Sequence, residues 1–135
     1  MSKGENMNNI SGFDCDGVCS IGIYPGPDDV IITGRSVEER IETLEFLESK
    51  GILNTVYFNP LPYDKKTRES SGIHKGNTIR QLAKDGIVLE KFFEDDLVQI
   101  TQIRKIVPWI KIIHINHNGL IEMENVRRDA DGNEV

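Results

Sequence analysis

Apolar residues come along this chain in short bursts separated by longer polar stretches with a helical period. Residues 10–15 and 30–33 are brief apolar runs of strand length, followed by 55–58, 88–94 and 110–115. Between them, apolar positions recur every three or four residues, the mark of a helix with one buried face. Val37, Ile41, Leu44 and Leu47 follow that period and predict a helix buried along this stripe. Ser36 stands at its start with Glu39 three residues on, the spacing of a capping box in which each side chain satisfies a backbone N–H of the other. Gly51 is placed to close it. A second helix is predicted over 75–84, with Ile79 and Leu82 inward and Asp85-Gly86 as its stop, preceded by a loop at Arg68-Glu69-Ser70-Ser71-Gly72. A third helix covers 97–107. Asn59-Pro60-Leu61-Pro62 breaks the strand before it, because proline offers no ladder donor. Asn116-His117-Asn118-Gly119 reads as a turn, 120–126 as a returning hairpin strand and 127–135 as a polar tail.

Strand–helix alternation of this kind predicts an α/β fold, a parallel sheet with helices on both faces. At 135 residues the chain has the size of one domain, so residues 1–126 are read as a single domain. No apolar run reaches the roughly 18 residues that suggest a membrane span, and residues 1–9 lack the apolar centre of a signal peptide. The expectation is a cytoplasmic protein with no membrane partner, a monomer or small homo-oligomer. Cys15 and Cys19 are the only cysteines and are expected reduced; no second Cys or His pair lies at a zinc-site spacing. A net charge of −6 argues against avid, nonspecific nucleic-acid binding, which needs clustered cations. The charge is uneven, however. Lys65, Lys66, Arg68, Lys75, Arg80 and Lys84 crowd one stretch, either a solvated face or a region suited to an anionic substrate.

The chemistry is concentrated where the apolar runs end. Phe13-Asp14-Cys15-Asp16-Gly17 places two carboxylates one residue apart at the end of the first predicted strand. One such acid can attack as a nucleophile while the other moves protons. Alone, the same pattern occurs in calcium loops and turns. Val30-Ile31-Ile32-Thr33-Gly34-Arg35 ends in a hydroxyl, a glycine and a cation; Lys75 follows; Phe92-Phe93-Glu94-Asp95-Asp96 ends in acids. Ligands of open α/β sheets bind at that edge.

In this order the set resembles the haloacid dehalogenase superfamily of phosphohydrolases, over roughly residues 9–117. The resemblance implies a three-layer Rossmann-like sheet and a short flap hairpin at residues 18–27. Neither there nor between Thr33 and Lys75 is there room for a cap domain, so it resembles a capless member. It further implies Asp14 as the nucleophile and Asp16 as the acid that protonates the leaving group and then activates water. Thr33, the Gly34 amide and Lys75 would hold the phosphoryl oxygens, with Arg35 touching substrate or pairing with Glu38 or Glu39. Mg²⁺ would be bound by Asp14, the Asp16 carbonyl and Asp95. The run of acids leaves the register open to Glu94 or Asp96, and Asp96 also suits a helix cap. Lys65 and Lys66 compete with Lys75 for its role, and His74 is either a leaving-group contact or a surface residue. The expected activity is a Mg-dependent phosphatase acting through an aspartyl-phosphate. Tyr63 beside the basic loop 63–68 leans its substrate toward a nucleotide or nucleic-acid end. The alternative is a non-enzymatic phosphate- or nucleotide-binding module. A response-regulator receiver would need an aspartate after the third strand, where Asn59-Pro60 stands.

Overall fold

The computed structural model describes residues 10–116 together with 129–130 and 132–133. Five parallel strands form one sheet: β1 (Ser11–Phe13), β2 (Val30–Ser36), β3 (Val56–Asn59), β4 (Lys91–Glu94) and β5 (Lys111–His114), in the order β3-β2-β1-β4-β5. Three helices connect them: α1 (Arg40–Ser49), α2 (Arg68–Lys84) and α3 (Leu97–Ile106). The chain winds outward from β1 to β3, then returns past β1 to lay down β4 and β5. β1 and β4 are therefore neighbours whose connections leave in opposite directions, and a crevice opens beyond their carboxyl ends.

The alternation of strand side chains divides the core in two. Val30, Ile32 and Phe92 point to one face, where they pack with Ile79 and Leu82 of α2 and Ile103 of α3. Phe13 and Ile31 point to the other, with Leu47 of α1, Val18 and both cysteines, while Phe93 packs on its edge. The Phe13 and Phe93 rings stack at 4.4 Å between centroids. Helices thus cover both faces, as the alternation predicts. No helix among the described residues is long and apolar enough to cross a membrane.

Several local expectations need correction. The capping box at Ser36 is formed, but it opens a 3-10 turn, Val37–Glu39, ahead of α1. That tighter turn shifts the helical phase, and Thr43 is drawn inward by Arg35 Nη1, which donates to its Oγ1 at 3.0 Å. The buried positions of α1 are Thr43 and Leu47; Ile41 is 72% exposed and Val37 is also outward. The second helix begins at Arg68, not near Lys75. Thr67 caps it, its hydroxyl accepting from the Ser70 amide while the Ser70 hydroxyl accepts from the Thr67 amide. The flap hairpin is not formed: between β1 and β2 the described residues contain no strand. Cys19–Ile21 is a 3-10 turn, Val18 and Cys19 are drawn into the core, and Pro25 and Pro27 withhold the donors a strand pair would need. Asp29 closes this loop by accepting from the amides of Ser11 and Gly26. The strand expected over 120–126 and His117 lie outside the described residues. Within the expected polar tail, Asp129–Ala130 pairs antiparallel with Gly132–Asn133 as β6 and β7.

Candidate functional site

The crevice between β1 and β4 collects groups from three elements. Asp14 leaves the end of β1, its amide donating to the Phe93 carbonyl of β4 at 3.0 Å. Glu94 is the last residue of β4. It lies on the same face as Phe92, two residues earlier, and so points toward α2. From α2 comes Lys75, on the buried stripe that also carries Gly72, Gly76, Ile79 and Leu82. Its ammonium, 1% exposed, donates to Asp14 Oδ1 at 2.8 Å and to Glu94 Oε1 at 2.7 Å. Asp14 Oδ1 also accepts from the Cys15 amide at 2.8 Å. Two donors on one oxygen fix the direction of the other.

Asp95 completes the cluster. Asp14, Glu94 and Asp95 each offer an oxygen, and the three oxygens lie within 4.8 Å of one another, a spacing that can hold a metal ion. Gly17 makes room for this. Its φ of +84° is left-handed, and a Cβ there would stand 2.1 Å from Asp95 Oδ2, so only glycine fits between the two loops. The Asp-x-Asp-Gly pattern therefore owes its glycine to an acid far along the chain.

The electrostatics are those of two buried acids and a half-buried one around one base. Burial, and then the neighbouring Glu94, raise the Asp14 carboxyl well above its ordinary value. Burial and its acidic neighbour Asp95 push Glu94 up to about 7, against the pull of Lys75. Burial and Asp14 push Asp95 up to about 7 as well. Burial alone would lower Lys75, but Asp14 and Glu94 beside it hold it above the usual lysine range. Fully ionised, the cluster would carry two uncompensated negative charges, those of three carboxylates less one ammonium. A divalent cation fits that charge, and hard oxygen donors suit magnesium or calcium.

Asp16 does not join the cluster. Its carboxylate is 59% exposed and held by Arg35 through both oxygens, at 2.9 Å from Nε and 2.8 Å from Nη2. Arg35 therefore pairs with Asp16 and Thr43 rather than with Glu38 or Glu39, and the bond to Asp16 raises its pKa. Thr33 is buried on β2, and its hydroxyl accepts from the Arg35 amide at 3.1 Å. Gly34 is crossed closely by α2: a Cβ there would stand 2.6 Å from Ser71 Oγ. Ser71, buried one turn before Lys75, is a polar group at this edge that the loop reading of 68–72 missed.

Of the three acids after β4, Asp96 does something else. It caps α3 by accepting from the Val98 amide, and Arg68 grips it through two bonds at 2.7 and 3.0 Å. The basic stretch is likewise dispersed. Lys66 pairs with Glu39, Arg68 with Asp96, and Lys75 lies inside the cluster. Beside Asp16 opens a cleft of about 530 Å³ lined by Asp16, Arg35, Glu39, Glu42, Tyr63 and Lys66. His74 is half-buried rather than a surface residue, and burial lowers its pKa. Both cysteines are free and buried, their thiols pushed up to about 12 chiefly by that burial.

What the fold and site define is a small parallel-sheet α/β protein with an acid–lysine cluster at its switch point. No protein-family model, curated protein or solved structure matches the chain.

Proposed function

We propose that this chain is a magnesium-dependent phosphomonoester hydrolase of the capless haloacid dehalogenase type, working through an aspartyl-phosphate on Asp14. The observation that carries the reading is the convergence of Asp14, Glu94 and Asp95 within 4.8 Å, around the ammonium of Lys75. The ion would be held by Asp14, the Asp16 carbonyl and Asp95, with Glu94 standing by. When bound, it offsets the repulsion between an anionic nucleophile and an anionic phosphate.

The oxygen of Asp14 not held by Lys75 and the Cys15 amide attacks phosphorus, and the ester P–O bond breaks. Asp16 gives its proton to the leaving oxygen. It then takes one from the water that attacks the aspartyl-phosphate, releasing phosphate and restoring Asp14. These steps require the Asp16 carboxylate to leave Arg35 and turn over Asp14. Thr33, the Gly34 amide and Lys75 would steady the phosphoryl oxygens, where charge spreads in a loose transition state. The Rossmann-like reading of the sheet is supported by the strand order and the helices on both faces.

The test is hydrolysis of an aryl phosphate with and without EDTA. Turnover should need the ion and fall by more than about a thousandfold in Asp14→Asn, as loss of a nucleophile does. One observation favours the alternative of a non-enzymatic phosphate- or nucleotide-binding module: the bidentate grip of Arg35 on Asp16. Binding of magnesium and phosphate with no turnover of any ester would decide for that reading.

A further inference from the structure

We infer that the cleft beside Asp16 seats the nucleoside portion of a nucleoside monophosphate, an assignment that rests on the phosphatase reading and narrows its substrate. The cleft is open to solvent and offers about 530 Å³, room for a small molecule laid against its wall. Asp16 lines it and stands two residues from Asp14, so the cleft opens beside the acid proposed to protonate the leaving group.

Three features of the lining select the occupant. Tyr63 presents an aromatic surface, 62% exposed, with the Lys66 ammonium 5.0 Å from its centroid. Its backbone is tied down, the amide donating to Glu38 Oε1 at 3.0 Å, and Lys66 is tied to Glu39 at 2.5 Å. Lys66 covers one face of the ring, and a base can stack on the other. Glu39 and Glu42 offer carboxylate oxygens, which accept from hydroxyl groups as a ribose presents them. The third feature is charge: Asp16, Glu39 and Glu42 oppose only Arg35 and Lys66. With Asp16 turned over Asp14, the remaining lining sets Glu39 and Glu42 against Arg35 and Lys66, so the further phosphates of a polynucleotide would gain no net attraction there. Three of the cations that could have formed a backbone track, Lys66, Arg68 and Lys75, are instead spent on Glu39, Asp96 and the buried cluster. A bare sugar phosphate would leave Tyr63 uncovered.

The experiment compares nucleoside 5′-monophosphates, ribose 5-phosphate and a 3′-phosphorylated oligonucleotide, with magnesium, on the full chain and on Tyr63→Ala, Tyr63→Phe and Glu42→Gln. The mononucleotide should exceed ribose 5-phosphate in kcat/KM by about tenfold or more, the scale of one base on one ring. Tyr63→Ala should erase that preference through KM with kcat retained, Tyr63→Phe should keep it, and Glu42→Gln should raise KM for both ribosyl substrates. Equal use of ribose 5-phosphate, or a preference that survives Tyr63→Ala, overturns the inference. So does a preference for the oligonucleotide that falls steeply with salt. If no ester in the panel, an aryl phosphate included, is hydrolysed, the hydrolase reading falls on its own. The cleft is then judged by binding of a nucleoside 5′-monophosphate in saturation-transfer NMR. Contacts from base protons that vanish in Tyr63→Ala support the assignment, and their absence from the parent chain overturns it.

Discussion

Lys75 is the residue on which the cluster balances. Its ammonium lies within 2.8 Å of two carboxylates, and a third acid stands among them. Replacing it with methionine keeps the length of the side chain and removes the only base. Breaking a buried pair in this way costs about 3–5 kcal/mol, because the remaining charges are left uncompensated. Lys75→Met should therefore lower stability by that order at neutral pH in EDTA, and recover part of it at pH 5, where the acids take up protons instead. Urea unfolding at the two pH values measures both effects; equal losses at pH 5 and pH 8 would contradict the charge balance. The acids at the strand ends were legible in the sequence, since apolar runs that stop at carboxylates mark a sheet edge. Their separate tasks were not. Glu94 turns toward Lys75 because it shares a face with Phe92, Asp95 reaches Gly17, and Asp96 caps α3. Three consecutive acids look alike until the pleat of β4 and the start of the helix divide them. Lys75 was found by its place in the order of motifs. The better signal, a lysine in step with Gly72, Gly76, Ile79 and Leu82, is masked by the serines and glycine of 68–72, which resemble a loop.

At the scale of elements, α2 shows why that loop reading failed. Two glycines and two serines in its first three turns lower its helix propensity, glycine by about 1 kcal/mol each. Close packing accounts for them. A Cβ on Gly72 would stand 2.8 Å from Gln99 Cα, and one on Gly76 would stand 2.9 Å from Ile106 Cδ1, so these positions let α3 lie directly against α2. Gly72→Ala accordingly sets propensity against overpacking. The nearest atom is backbone and cannot rotate away, so overpacking wins, by about 1–3 kcal/mol. The measurement is a denaturant midpoint shifted downward; an upward shift would mean that α3 yields freely. Strands read more reliably than helices here. The five apolar runs became the five strands, since a short buried strand needs little but apolar residues between breakers. In α1 the Arg35–Thr43 bond and the 3-10 entry set the rotation, and neither can be seen in a hydrophobic period.

Across the whole molecule, strand order does what local sequence cannot: it sets Asp14 beside Glu94 and Asp95 by returning the chain past β1. The three acids and one ammonium gathered there make stability depend on pH in a direction that can be worked out. Asp14, Glu94 and Asp95 all hold protons more tightly folded than unfolded, the last two up to about 7. Between the ordinary carboxylate range and about pH 7 the folded state is the one with more bound protons, so stability falls as pH rises through that window. Asp96 and Glu39 are held below their ordinary values and lose their contribution only at more acid pH. Lys75, held above the usual lysine range, titrates far on the alkaline side. His74 acts in the opposite sense just below its ordinary 6.5, since burial lowers it. The discriminating quantity is therefore the gap between two melting curves, in magnesium and in EDTA, in which the His74 contribution largely cancels. A divalent ion takes the place of the protons on the cluster, so it gains little where the acids are protonated and most where they are ionised. The magnesium increment in Tm should be small at pH 5, rise through pH 7 and level off near pH 8, and Asp95→Asn should flatten it. An increment of the same size at pH 5 and pH 8 would show that the ion binds elsewhere, and the acids at the head of the sheet would then be a charge store without a metal.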